Sequence, residues 1–330
     1  MPAILVDGSV TQRAQHTRQL TTCQNSLFMP ENWKAVRVPA SSANLGPGFD
    51  ALGLALDVHL ECGFRPSREL SIQVSGRDAN QISTGADNFI WRTAVGTAFA
   101  AGLVMPPMEM TIANAIPLGK GLGSSAAALV AGVVIASEVL GLGFEPARVM
   151  QIAAALEGHP DNVAACVLGS IVASAVDAEG FAHAVRVELH SSYNVAVIVP
   201  DFVLPTVEAR RVLPETVSMA DAVFNIQRST LLIAALSSGT TDAFPLALED
   251  RMHQPYRCAL IPGLPDILEL RAPGLLGCAL SGAGPSILVF HERGHEAVCE
   301  LVSDVFRRYG HSSEIVCRGV SPTGFQVRHS

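Results

Sequence analysis

Charge is scarce in this chain: 16% of its 330 residues carry a charged side chain, and aromatic residues make up only 5%. With 49% hydrophobic residues, that is too little charge and too much apolar content for a disordered polymer. Lysine is nearly absent, with Lys34 and Lys120 the only two among 22 basic residues. The net charge of −8 and the lack of a basic stripe exclude a nucleic-acid partner, because nothing would displace counterions from a phosphate backbone. Long apolar runs are missing too. The run AAALVAGVVIA from Ala126 to Ala136 is bounded by serines, well short of the roughly 20 residues that a membrane-spanning helix needs, so no membrane partner is expected. Seven cysteines, at 23, 62, 166, 258, 278, 299 and 317, form no C-x-x-C pair. Their odd number and wide spacing read as reduced thiols in a cytoplasmic setting. No secretory pattern opens the chain. Residues 1–32 are polar and aperiodic, and read as a flexible extension or as an upstream start before a natural beginning near Met29.

The length suits two modest domains or one large one. An alternating strand at 34–38 runs into a Gly/Ser/Pro loop, PASSANLGPG, and a second apolar stretch covers Phe49 to Leu60. Residues 70–74 and 108–115 alternate as half-buried strands, while 88–104 has helical spacing and stops at Pro106-Pro107. A helix follows from about Ser125 to Leu140, and another starts with Pro146 at its first position. Residues 194–199 are β-rich. Beyond them helices (about 206–213, 218–237, 242–250, 295–308) mix with strands (276–281, 286–290, 314–320). Strands and helices mix without strict alternation, which favours an α+β class. The division expected is an extension at 1–32, a first domain over 33–190 and a second over 191–330.

Four stretches are dense in chemistry. In PLGKGLGSSAA (Pro117–Ala127) a strand enters a loop with three glycines, then two serines and an Ala-rich helix. Glycines let a backbone approach a ligand closely, and the unpaired N–H groups of the helix's first turn favour an anion. Ser124 or Ser125 could cap that helix or offer a hydroxyl oxygen to Mg²⁺. Phosphate is the ligand that fits. The loop is neither a P-loop, since Gly119-Lys120 is followed by Gly121, nor a dinucleotide fingerprint, whose acidic partner is missing. Taken alone, a capped Gly-rich turn would also explain it. Second, Glu157-Gly-His-Pro-Asp-Asn162 gathers two carboxylates, an imidazole and an amide; it reads as a helix-ending turn or as a site where Asp161 or Asn162 orients a substrate hydroxyl while Glu157 holds a metal. Third, Ser41–Asp50 (SSANLGPGFD) clusters polar side chains in what could be an ordinary long turn. Fourth, Leu280–Leu288 (LSGAGPSIL) is a Gly-rich loop between apolar strands, equally readable as a tight hairpin.

In that order, these stretches resemble the motifs of the GHMP small-molecule kinases. PLGKGLGSSAAA is similar to that family's phosphate loop, ASSANLGPGFD to its first motif and SGAGPS to its third. EGHPDNVA, PTVEARRVLP (205–214) and HQPYRCALIPG (253–263) resemble the homoserine kinase branch, over a span from about residue 33 to the C-terminus. The resemblance implies a ribosomal-S5-like first domain with a left-handed βαβ crossover, a ferredoxin-like second domain and an active site between them. It implies ATP and Mg²⁺ as cofactors, L-homoserine as substrate and O-phospho-L-homoserine, on the route to threonine, as product. A homodimer is expected on family grounds alone. Phosphoryl transfer asks mainly for positioning and charge stabilisation, which these residue types can supply.

Residue by residue, the resemblance places ATP on Pro117, Leu118, Gly119, Lys120, Gly121, Leu122, Gly123, Ser124 and Ser125, with Asn88 at the adenine. Ser125 and Glu157 would hold the metal. Asn44 and Asp50 would take the substrate's amino end. Thr206, Arg210 and Arg257 would take its carboxylate, which suits the guanidinium fork. His159, Asp161 and Asn162 would surround the hydroxyl, with Asp161, Asn162 and Ser125 catalytic and Gly282 beside the substrate. Lys120, between phosphate-loop glycines, is either a solvated side chain or an auxiliary charge for the β- or γ-phosphate. The rival readings are another kinase of the superfamily, acting on mevalonate or a sugar, and a non-catalytic ligand-sensing relative.

Overall fold

The computed structural model describes residues 32–317 and 319–329; apart from Asn32, the expected N-terminal extension lies outside them. The chain opens with β1 (Lys34–Asn44) and turns at once into the long β2 (Gly48–Pro66). The stretch PASSAN, expected as loop, is therefore strand: Ala40 to Ala43 pair with Leu56 to Gly53, after a bulge at Pro39/Ala40. Both serines are buried, Ser41 on Asn162 and Ser42 with no hydrogen-bond partner for its hydroxyl, which alternation alone does not reveal. β3 (Ser71–Gly76), α1 (Phe89–Ala100) and β4 (Met108–Asn114) form a crossover in which β3 and β4 are parallel. Next come α2 (Ser124–Leu140), α3 (Pro146–Glu157), α4 (Asp161–Leu168) and the hairpin of β5 (Ile171–Val176) and β6 (Ala182–Val187). The patterns missed α4, β5 and β6, since short apolar runs broken by Gly and Ser carry no clear period.

The second half runs β7 (Tyr193–Pro200), α5 (Thr206–Arg211), α6 (Met219–Ser238), α7 (Phe244–Ala247), α8 (Gln254–Arg257), α9 (Leu264–Leu268), β8 (Leu275–Leu280), β9 (Ile287–Glu292), α10 (Cys299–Arg308), β10 (Ser313–Cys317) and β11 (Gln326–His329). Two sheets result. The first has the order β11-β1-β2-β4-β3, with β5 and β6 attached along β2. The second is antiparallel with the order β10-β7-β9-β8, the ferredoxin-like arrangement of a split βαβ unit. The α+β class is as expected. The last strand, β11, returns to pair with β1 of the first sheet.

Packing follows from residue type. Residues Ala126 to Ala136 of α2 are buried on nearly every side, which accounts for an apolar run too short for a membrane. Gly132 makes room for α1, where a Cβ would come within 2.7 Å of the Ile90 carbonyl. In the second sheet, period-two alternation divides two cores. Val195, Val197 and Val199 of β7, with Leu288 and Phe290 of β9, face the large core shared with α2, α6 and α7. Ala196, Ile198, Ile287 and Val289 face α9 and α10. Burial pushes the thiols of Cys62, Cys166 and Cys278 up to about 12, so they pack as small hydrophobes and not as nucleophiles. No helix of the described residues is long and apolar enough to cross a membrane.

His59 on β2 gives the fold a dependence on pH. Burial, reinforced by the Arg37 guanidinium that donates to its Nδ1 (3.0 Å), outweighs Asp57 and lowers its pKa from 6.5 to about 4. The native state keeps this imidazole neutral, whereas the unfolded chain takes a proton below pH 6.5. Its contribution is thus present above 6.5 and lost as pH falls toward 4. Thermal melts of His59→Gln against the parent should give a flatter loss of melting temperature between pH 7 and 4; parallel curves would refute the assignment.

Candidate active site

The phosphate-like loop lies between the two sheets. Gly119, Gly121 and Gly123 all adopt positive φ, at 66°, 73° and 65°. At Gly121 the requirement is also spatial: a Cβ would collide with the Ser281 carbonyl oxygen and lie 2.7 Å from that of Gly284. Ser281 Oγ donates back to the Gly121 carbonyl (2.7 Å). Helix α2 then starts with Gly123, not a serine, as its N-cap and with no side-chain cap. A Cβ on Gly123 would strike Ser41 Oγ, so the glycine is what lets β1 reach the loop. The serine-cap expectation is thereby corrected, and the hydroxyls remain available. Ser125 Oγ donates to Glu157 Oε2 at 2.8 Å, at a helix N-terminus whose first-turn N–H groups favour anions.

The segment from Glu157 to Asn162 ends one helix and starts another. Gly158, at φ 90°, caps α3, and Asp161 is the first residue of α4. Asp161 is 1% exposed. Its Oδ1 accepts from His159 Nδ1 and from the Asn162 backbone N–H, both at 2.7 Å, so the carboxylate is held at the favourable end of a helix dipole. That hydrogen bond to Asp161 raises the His159 pKa above its usual value, against the opposing effect of burial. Asn162 Oδ1 accepts from the buried Ser41 Oγ (2.9 Å).

Across the cleft, the turn between β1 and β2 holds Asn44, Leu45 and Asp50 at positive φ, uncommon for residues other than glycine and often a mark of a functional site. Asn44 spends its side chain on this shape, donating to the Gly282 carbonyl (2.9 Å) and accepting from the Asp50 N–H (3.0 Å). Asp50 forms a two-pronged ion pair with Arg210 of α5, at 2.9 and 3.2 Å. Two guanidinium groups approach the Phe49 ring, Arg210 at 5.7 Å and Arg257 at 5.9 Å from its centre, and the ring stacks on His253 at 5.3 Å. Arg257 is 1% exposed; burial, then the neighbouring Arg210, lowers its pKa to about 10.

One cavity of about 210 Å³ gathers these groups. Its walls bring together Asn44, Asp50, Pro117, Gly119, Lys120, Gly121, Leu122, Gly123, Ser124 and Ser125 with Glu157, His159, Asp161, Asn162, Thr206, Arg210, Arg257 and Gly282. Phe49, Ala43 and Ala283 also line it. The sequence reading gave Phe49 no role, although an aromatic inside a polar motif of an aromatic-poor chain was the available signal. Ser41 was missed likewise, its hydroxyl having no visible purpose until Asn162 is brought beside it.

Known proteins supply the relationship. Residues 88–170 match the GHMP kinases N terminal domain. The chain is 62% identical over 296 residues to a homoserine kinase of Solibacter usitatus, covering 90% of this chain and 97% of that one. It is 42% identical over 298 residues to a homoserine kinase of Deinococcus radiodurans, covering 89% and 97%. The crystal structure of homoserine kinase from Cytophaga hutchinsonii superposes with a TM-score of 0.79 at 27% identity, covering 91% of this chain and 98% of that one. The chain belongs to the homoserine kinase family of GHMP kinases. It is thus an ATP-using kinase that acts on an alcohol, with the two-domain fold of that family.

Two residues of this kinase make protein contacts that the order of residues does not reveal. Asn88 is the N-cap of α1: Oδ1 accepts from the Ile90 and Trp91 N–H groups, and Nδ2 donates to the Ser83 carbonyl. One of the two Nδ2 donors is used in this way. It lines a neighbouring cavity of about 350 Å³, shared with Leu118, Ile82 and Ser83 and bordered by Ser124 and Ser125. Lys120 donates to the Pro200 (2.9 Å) and Phe202 (2.7 Å) carbonyls, and burial lowers its pKa. Two of its three N–H donors therefore strap the loop to the end of β7, which leaves one for a ligand in the cavity that Lys120 lines. Gly121→Ala should raise the ATP KM by about tenfold or more and lower the melting temperature, whereas Lys120→Met should change the ATP KM less; the reverse order in steady-state kinetics would contradict this account.

Proposed function

We propose that this protein transfers the γ-phosphoryl group of ATP to the side-chain hydroxyl of L-homoserine, a step on the route to threonine. The observation that carries the reading is the Asp50–Arg210 pair beside the buried Arg257. A carboxylate and two guanidinium groups around one small cavity match the two ends of a zwitterionic α-amino acid. The substrate amine replaces Arg210 on Asp50, and the substrate carboxylate takes the guanidinium groups. Mevalonate and sugars carry no amine to compensate Asp50. A ligand-sensing relative would not require Ser125, Glu157 and Asp161 together. The activity named for the relatives agrees with this reading.

The residues divide the chemistry between them. Backbone N–H groups of the 119–123 loop and of the α2 N-terminus hold the phosphates and offset charge as the bond breaks. Both protein hydrogen bonds to Asp161 fall on Oδ1, which leaves Oδ2 to accept from the homoserine hydroxyl and orient it. A loose transition state needs little proton removal before the leaving bond breaks, so orientation is the main demand. Ser125 and Glu157 present two oxygens 2.8 Å apart at the phosphate end of the cavity, a donor set suited to Mg²⁺. Asp50, His159 and Asp161 also converge, yet one is an imidazole and Asp50 is held by Arg210, so the oxygen pair fits better. Bound there, Mg²⁺ supplies charge neutralisation at the phosphates. The sheets suggest a division at residues 190/191, with β11 returning to the first unit.

Coupled ADP-release assays over homoserine, mevalonate, galactose and threonine should give turnover with homoserine; turnover confined to another alcohol would overturn the substrate. Arg210→Ala should raise the homoserine KM about tenfold or more while the ATP KM moves less than about threefold. Equal effects on both would contradict the carboxylate role.

A further inference from the structure

Donor arithmetic at Arg257 singles out a residue outside the groups so far assigned. A guanidinium has five N–H donors. In Arg257 the Nε–H goes to the Ala209 carbonyl (3.1 Å), and the two Nη1 donors go to the Gly282 carbonyl (3.1 Å) and to His253 Nδ1 (2.9 Å). Only Nη2 is left for a ligand in the cavity that Arg257 lines. Rotation of the guanidinium is therefore locked by three bonds, one of which ends on a side chain.

That side chain is fully buried. Arg257 has only donors, so His253 Nδ1 accepts, and the imidazole's proton lies on Nε2, which donates to the Gly46 carbonyl at 2.6 Å. Gly46 belongs to the turn that carries Asn44 and Asp50. The same ring stacks on Phe49, against which both arginines rest. Asp250 secures the histidine's backbone: its carboxylate accepts from the N–H groups of Met252, His253 and Gln254 and from Asn225 Nδ2. A neutral imidazole agrees with the lowering of its pKa by burial and by Arg257, against the opposing Asp250, Asp50 and Gly46.

We propose that His253 is a positioning residue for the amino-acid substrate: one neutral imidazole fixes the Arg257 guanidinium through Nδ1 and the Asp50-bearing turn through Nε2–H. It thereby sets the distance between the group that reads the carboxylate and the group that reads the amine. The inference rests on the α-amino-acid reading of the cavity. Without the Nδ1 acceptor, one buried Nη1 donor is left unpaired and the guanidinium can tilt about its side-chain torsions, which loosens the aim of Nη2.

The test compares His253→Phe, which keeps a ring on Phe49 but removes both hydrogen bonds, with His253→Gln, which restores one acceptor and one donor. His253→Phe should raise the homoserine KM on the order of ten- to a hundredfold, with the ATP KM nearly unchanged, and His253→Gln should recover most of the loss. The preference for homoserine over its amino-alcohol analogue lacking the carboxylate should fall by a similar factor in His253→Phe. Unchanged preference, or equal losses for homoserine, analogue and ATP, would overturn the proposal. Should His253→Phe not fold, nitrogen-15 NMR of the wild-type histidines decides: a neutral Nε2–H tautomer whose Nδ1 signal moves with homoserine but not with ATP is expected, and an Nδ1–H or doubly protonated ring refutes it. A wild-type protein without homoserine turnover removes both readings; an active wild type with an indifferent His253→Phe removes only this one.

Discussion

At Gly121 the backbone of the phosphate loop touches the backbone of the Ser281–Gly284 turn so closely that no side chain could intervene. The rest of the site depends on this contact, because the loop belongs to the connection out of the first sheet and the turn joins β8 to β9 of the second. Ser281 bonds to Gly121, the Gly282 N–H to the Ala43 carbonyl, and the Gly282 carbonyl receives Asn44 and Arg257. A few backbone atoms thus join the N-terminus of α2, the strained 44–50 turn and the arginine end of the cavity. Lys120 adds a second tie to the end of β7. The two halves meet as one rim, since the buried polar groups along it must find partners or remain unpaired.

The scarcity of charge acquires a meaning here. Arg257 is buried with carbonyls and an imidazole as its direct partners, so its charge is compensated only at a distance by Asp250 and Asp50. Such a cation favours an arriving carboxylate, which regains in binding what burial costs. Arg210, by contrast, is half-exposed and already paired with Asp50. One arginine is fixed by carbonyls and an imidazole and the other by a carboxylate, so their electrostatic settings differ although the residue type is the same.

Much of this was legible in the order of residues. The apolar run of α2, the glycines before it, the Pro146 helix start and the alternating strands β3 and β4 follow from local propensity and period. Other parts were not. PASSAN looked like loop because its serines are polar, yet Ser41 and Ser42 are buried, and Ser41 finds its partner 121 positions away in Asn162. Helix α4 and strands β5 and β6 are too short for a period to emerge. That Asn88 also caps the first turn of α1 was not visible in the sequence. The roles of Phe49 and His253 arise only where three elements meet.

Sequence alone determined the chemistry on offer: glycines and serines before an apolar helix, an acid–histidine–amide cluster, and a small set of arginines in an acidic, lysine-poor chain. Those follow from residue type and short-range spacing, which a linear text records. The tertiary structure decided who partners whom. It assigned the N-cap to Gly123, placed Ser125 on Glu157, paired Asp50 with Arg210 and turned the donors of Arg257 toward His253 and Gly282. Apart from the Gly123 cap and the His253–Arg257 bond, which are local, these contacts join residues 25 to 160 positions apart, and each is settled by sterics and donor–acceptor satisfaction.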